Sequence, residues 1–182
     1  MKKQLNPNQA LQLINHGPTI LVTVMGEKGP NIITLAWSTP VSIRPPLLAI
    51  SVAPSRYSHD LILSSGEFVV NIPNASLLKQ VHLCGTISGR NRDKFKEAGL
   101  TPIAASKVKA PLIEECIGHI ECRLYEHYTA GDHTIFIGKV LGGSVNADLY
   151  DGHLITEKAE GQTLHHLGGD VYAIAGERVY AR

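Results

Sequence analysis

Cysteine is scarce in this chain, with three residues, Cys84, Cys116 and Cys122, among 182. An odd count gives no disulfide framework, and without a CxxC pair a redox dithiol has no basis. Cys116 and Cys122 share parity on one expected strand, which places them on one face and about 20 Å apart. Both read as small buried hydrophobes. Aromatics are also few, at 5% with a single tryptophan, so the 43% hydrophobic composition implies a mostly aliphatic core. Charge of one sign is nowhere concentrated, because 17 basic and 16 acidic residues leave a net charge of +1. That balance shows neither the basic stripe of a nucleic-acid surface nor a polybasic tail for anionic lipid. Long hydrophobic runs are missing too. The N-terminal MKKQLNPNQALQLINHG carries two lysines with no apolar stretch behind them. Neither a secretory signal nor a membrane span is read, and a cytosolic protein is expected.

Several chemistry-bearing motifs are also missing. There is no GxxxxGK[ST], no GxGxxG after a strand and no GxSxG, so a P-loop, a Rossmann dinucleotide site and a hydrolase elbow find no support. Nine histidines raise the question of a metal. His165 and His166 are adjacent and diverge on any regular element. No HxH or HExxH spacing links His119, His127 and His133, so no metal site is expected.

A chain of this length fits one domain, 1–182, with a sizeable core. A short helix is expected over 8–15, where apolar positions 10, 11, 13 and 14 are stopped by Gly17-Pro18. β-branched runs at 19–25 and 31–37 flank a turn and predict a hairpin. Further strands are expected at 39–43, 47–52 and 67–72. Ser58 reads as the N-cap of a short helix ending at Gly66. Helices are also expected over 76–83 and 92–98, with 85–91 as a polar loop between them. A long alternating segment, 113–128, turns at Ala130-Gly131-Asp132 and returns over 133–145, the kind of hairpin that closes a barrel. The Gly- and His-rich chain after Asn146 has no readable order.

The densest chemistry lies between Gly29 and Asp60, GPNIITLAWSTPVSIRPPLLAISVAPSRYSHD. Thr34, Trp37, Ser38, Thr39, Ser51, Ser55, Arg56 and Ser58 bring donors, one aromatic plane and one permanent cation close together in sequence. A site for an anionic, ring-bearing ligand needs that mix. The same pattern also fits a β-rich core with Ser and Thr at its strand ends, and a lone tryptophan by itself reads as core. Ser55-Arg56-Tyr57-Ser58 suits a phosphate, with a charge that does not titrate beside a helix start. Cys84-Gly85 through Ser88-Gly89-Arg90, with Lys94 behind, is a second polar loop in which glycine permits close backbone approach. Arg56, Arg90 and Lys94 all stay open as the direct phosphate contact.

This stretch resembles the flavin reductase-like family of FMN-binding split barrels, in particular its flavoredoxin-like branch. The likeness continues in order through FVVNIP (68–73), CGTISGRNRDKF (84–95), APLIEECIGHIECRL (110–124) and AGDHTIFIGKV (130–140). It implies a mainly β (α+β) split barrel with short peripheral helices, acting as a homodimer. It also implies FMN held by Thr34, Leu35, Ala36, Trp37, Ser38, Ser51, Ser55, Arg56, Tyr57, Ser58, Cys84, Gly85, Ser88, Gly89, Arg90 and Lys94. Gly131-Asp132-His133 resembles the family's GDH motif, which puts His133 beside the reacting rings, with Asp132 setting its tautomer or only making the turn. NADH or NADPH is the implied electron donor of a flavin reductase. The alternative is a flavoredoxin-like carrier that keeps its FMN and passes electrons to a redox protein partner. A heme or flavin storage role on the same barrel has less support, since no obvious axial ligand is present. Asp170 and Tyr172, in GGDVY, fall where such chains cross back toward the flavin, and no role is assigned to them.

Overall fold

Strands β1 (Ile20–Gly26) and β2 (Gly29–Leu35) form a hairpin in the computed structural model, which describes residues 1–181. Ahead of them lies α1 (Pro7–Leu11), opened by a capping box between Asn6 and Gln9, followed by a 3-10 turn at Gln12–Ile14. β3 (Ser38–Ser42) and β4 (Leu47–Val52) pair next, and α2 (Tyr57–Ser65) leads to β5 (Glu67–Ile72). α3 (Leu78–Thr86) and α4 (Lys94–Ala98) pack outside the barrel. A two-residue ladder joins β6 (Pro102–Ile103) to β7 (Leu112–Ile113). The long hairpin β8 (Gly118–Ala130) and β9 (His133–Val145) follows, and a last hairpin pairs β10 (Leu164–Gly168) with β11 (Val171–Ile174). No helix among the described residues is long and apolar enough to cross a membrane.

Seven strands pair antiparallel in the order β2-β1-β5-β8-β9-β4-β3. β2 and β3 are consecutive in the chain yet lie at opposite ends of that order. The chain crosses between them at Ala36-Trp37, and the Trp37 carbonyl accepts the Ser51 N–H at 3.0 Å. The architecture is the mainly β split barrel with short peripheral helices that the motif series implies.

Two apolar clusters hold it. Ile20, Val22 and Val24 point into the barrel against Phe68, Val70, Cys122 and Phe136, with Leu61 and Ile62 of α2 closing that cluster. Leu21 points the other way, to a second cluster with Val81 and Cys84 of α3, Phe95 of α4, and Cys116. β1 is covered on both faces, which is why TILVTVM reads as a near-continuous apolar run. Asn71 is fully buried and ties this layer together. Its amide donates to the Leu21 carbonyl at 3.0 Å and to Thr23 Oγ1 at 3.2 Å, while its oxygen accepts the Ile113 N–H at 2.9 Å.

The chain from 101 to 111 is stapled to the sheet by carboxylates. Glu121, on β8, is only 6% exposed and accepts from Ser106 Oγ and the Lys107 N–H. Burial alone would push its pKa up, but these hydrogen bonds outweigh it and hold the carboxyl below its ordinary value. A folded pKa below the unfolded one gives stability that is complete above the unfolded value, about 4.3, and is lost as pH falls through the folded value. Glu121→Gln is expected to cost about 1–3 kcal/mol near neutrality and to flatten the acid side of the stability profile. Urea unfolding between pH 3 and pH 7 measures both.

The structure departs from the sequence expectations at five places. Ser58 is not an N-cap, because a turn from Ala53 to Arg56 starts α2 earlier and leaves Ser58 buried in its first turn. Cys84 and Gly85 belong to α3 and not to a loop, since the helix continues to Thr86, whose hydroxyl bonds back to the His82 and Leu83 carbonyls. Cys116 and Cys122 do not face the same way. β8 begins only at Gly118, so Cys116 sits in the preceding turn within the outer cluster and Cys122 lies inside the barrel. Trp37 is 47% exposed and is not core. The segment after Asn146 is ordered around the β10–β11 hairpin, anchored where the Thr19 N–H donates to the Leu164 carbonyl at 2.7 Å.

Candidate functional site

The end of β2, the Ala36-Trp37 crossover, the start of α2 and the end of α3 converge on a cleft of about 630 Å³. Thr34, Leu35, Ala36 and Trp37 form one wall, continued by Ser51 of β4. Ser55, Arg56, Tyr57 and Ser58 approach from the turn before α2, and Cys84, Gly85, Ser88, Gly89 and Lys94 from the opposite side. His133, at the start of β9, completes the set. Residues up to about 150 positions apart, Thr19 and Tyr172 among them, therefore line one space.

Two predicted residues lie elsewhere. Ser38 lines an adjoining apolar groove on the far side of Trp37. Arg90 is not among the residues that line the cleft; it bonds Asp60 Oδ2 at 3.2 Å and lies 5.3 Å over the Tyr57 ring. Its charge is already matched, which leaves Arg56 and Lys94 as the cations that line the cleft.

Those two make one end positive. Arg56 is exposed, and its side chain has no ion pair or hydrogen bond among the described residues. Lys94 is buried, and its Nζ donates to the Cys84 carbonyl at 2.6 Å. Burial brings its pKa down to about 8; Cys84 opposes the shift and Arg56 adds to it. The Cys84 thiol is pushed up to about 11, again by burial, so it is an inert wall and not a nucleophile. Ser58 Oγ accepts from Asn31 Nδ2 at 2.7 Å, which leaves its own proton free to donate. Gly89 packs so tightly on the Asn31 amide that a Cβ there would collide with Asn31 Oδ1. A glycine is required at that close approach, whatever its backbone angles.

The rim is aromatic. Trp37 and His133 lie 4.9 Å apart, ring centre to ring centre. Asp132 Oδ1 is 2.7 Å from His133 Nδ1, which fixes that nitrogen and leaves Nε2 free. The same hydrogen bond holds the exposed Asp132 carboxyl below its usual range. Trp37 Nε1 donates to Asn15 Oδ1 at 2.6 Å, and the Asn15 amide reaches His166 Nδ1 at 3.3 Å. One asparagine thus ties the tryptophan to the C-terminal hairpin.

Residues 12–167 match the family described as "Flavin reductase like domain". The chain belongs to that family. Among its relatives, the uncharacterised protein YddH of Escherichia coli K12 is 35% identical over 180 residues, 96% of this chain and 95% of YddH. An NADH-dependent FAD reductase of Streptomyces globisporus is 29% identical over 123 residues, 67% of this chain and 66% of that one. Two solved structures superpose over the whole chain. The flavoredoxin of Desulfovibrio vulgaris (Miyazaki F) does so with a TM-score of 0.88 at 27% identity, covering 97% of it. An FMN-binding protein of Thermus thermophilus, with bound 1-cyclohex-2-enone, has a TM-score of 0.86 at 25% identity, covering 99% of it.

For a flavin reductase-like chain, several cleft residues escape sequence reasoning. Thr19, Asn31, His82, His166 and Gly169 all line the space, as do Asp170 and Tyr172, which the sequence singles out without a role. Two of them carry a usable signal. Asn31 is a polar residue at a buried position of β2, two residues before the buried Ile33, and such a residue needs a polar task. In HHLGGDVY, Gly168-Gly169-Asp170 between apolar neighbours is a hairpin turn. Thr19 carries no signal, since only the fold shows that its hydroxyl is buried at the cleft wall without a hydrogen-bond partner.

Proposed function

We propose that this cleft binds FMN, and that the protein is an oxidoreductase of the flavin reductase type, using NADH or NADPH to reduce it. The observation that carries this is the pairing of two unmatched cations, Arg56 and Lys94, with a wall of backbone and aromatic surface in one cleft. The residues fit the cofactor. A phosphate monoester would match the cationic end, where Ser58 adds a free hydroxyl. Residues 34–37 and Ser51 would line the flavin ring system. The unpartnered Thr19 hydroxyl is a donor in want of an acceptor, which a flavin's polar edge supplies.

Bound FMN supplies the redox chemistry, accepting two electrons and a proton's equivalent as hydride. The chain's part is placement. Asp132 holds the His133 ring so that Nε2 stays available to a donor or acceptor arriving beside Trp37. Asn15 keeps Trp37 from swinging away. Names of relatives support both a reductase and a carrier. The carrier reading is favoured by Trp37, 47% exposed at the rim, where a protein partner can reach it. A homodimer also fits, because Ile43, at 87% exposure, leaves apolar surface open next to β3. The visible spectrum of the purified protein tests the assignment. Absence of flavin bands after FMN reconstitution removes the cofactor. Prompt bleaching by NADH or NADPH without oxygen supports the reductase, whereas bleaching only by a reduced protein donor supports the carrier.

A further inference from the structure

Lys94 is 6% exposed, yet no carboxylate among the described residues pairs with it. Its hydrogen bond goes to a neutral acceptor, the Cys84 carbonyl. Two of its three N–H positions therefore have no partner among the described residues, and a buried ammonium in that state is unfavourable. The groups around it do not relieve this. Arg56, lining the same end of the cleft, has the same sign. On α3, the Cys84 thiol stays neutral well past pH 9, and His82 lines the cleft beyond it. On α4 itself, Asp93 caps the Lys96 N–H, and Glu97 is taken by Arg92. In the preceding loop Arg90 is matched by Asp60, and β2 carries no charged side chain. Asp170, the one carboxylate that lines the cleft among the described residues, is 91% exposed and lies 3.9 Å from His82, so the anion that would complete Lys94 is one that enters the cleft.

On the flavin assignment above, we propose that Lys94 takes up a proton as the phosphate monoester of FMN docks between it and Arg56, so that the cleft separates FMN from riboflavin and lets FMN go as the solution turns alkaline. The one bond formed is an N–H bond, with its proton drawn from solvent. A neutral amine and a solvent proton become an ammonium held against a phosphate dianion. The empty cleft is poised for this, because burial places the lysine's titration near pH 8. The phosphate is already a dianion there, with its second pKa about 6, so it contributes no proton of its own. Loss of FMN on the alkaline side follows from linkage, since the bound state keeps a proton that the empty cleft has given up.

Calorimetric titration of the flavin-free protein at pH 8, in buffers of different ionisation enthalpy, reads the proton directly. About half a proton is expected to enter per FMN bound, and FMN affinity is expected to fall about tenfold from pH 7 to pH 9. Riboflavin should bind more weakly, with no uptake. Lys94→Arg should keep the preference for FMN and lose the proton. FMN binding without uptake, or riboflavin showing the same uptake, overturns the proposal and leaves the flavin assignment standing. If neither flavin binds, both fall. The measurement on the native chain decides the matter even if the variant does not fold.

Discussion

Arg56→Ala should raise the FMN dissociation constant by about ten- to a hundredfold while changing riboflavin binding little. The guanidinium lines the cleft and is held by no carboxylate among the described residues, so its removal leaves no stranded partner there to confuse the result. A hydrogen bond between charged groups contributes about 1.5–3 kcal/mol, and each 1.4 kcal/mol or so is a factor of ten. Arg90→Ala serves as the internal control. That guanidinium is bound to Asp60 and lies over the Tyr57 ring, outside the cleft lining. Quenching of flavin fluorescence gives both constants. Equal losses for Arg56→Ala and Arg90→Ala would mean that the phosphate sits elsewhere, and an unchanged constant for Arg56→Ala would remove the cationic end from the binding site.

Phe68→Ala is expected to lower the unfolding free energy by about 3–5 kcal/mol, as for other large aromatics removed from cores. Phe68 is fully buried at the centre of the barrel, among Val22, Val70, Cys122 and Phe136. The far side of its ring meets backbone. A Cβ on Gly138 would stand 2.5 Å from Phe68 Cζ and 3.1 Å from Cys122 Cβ. Gly138→Ala alone should therefore destabilise by about 1–3 kcal/mol through overpacking. Combined with Phe68→Leu, which shortens the side chain at that point, it should cost less than the two single changes added together. Urea denaturation of the three variants completes the cycle. Additive losses would show that β9 shifts to make room and that the fit at Gly138 is not what the glycine is for.

The strands of this protein were legible because their pattern is local. Leu47–Val52, Glu67–Ile72 and His133–Val145 have the bounds that β-branched content and flanking turns predict. Gly66 and Gly99 stop their helices in the left-handed conformation expected of a C-terminal glycine. Helix starts were less legible. Ser58 looks like a cap, but the turn at Ala53–Arg56 begins the helix first and turns the serine to Asn31. Trp37 has the composition of a core residue, and only the crossover between the two ends of the sheet puts it on a rim beside His133.

The strand pattern and the single mainly β domain were legible in the sequence by itself, because apolar alternation and turn chemistry act between near neighbours, and the ordered motifs carried the resemblance to flavin reductase-like split barrels. Which cations face the cleft was decided only by the tertiary structure. Arg56, Arg90 and Lys94 are equal candidates along the chain. Asp60, thirty positions from Arg90, neutralises one of them. Burial at the end of α3 depresses another against the opposing effect of Cys84, and of the three only Arg56 is both exposed and without an ion pair among the described residues. A charge acts through its surroundings, and those surroundings are assembled from parts of the sequence that meet only when the barrel closes.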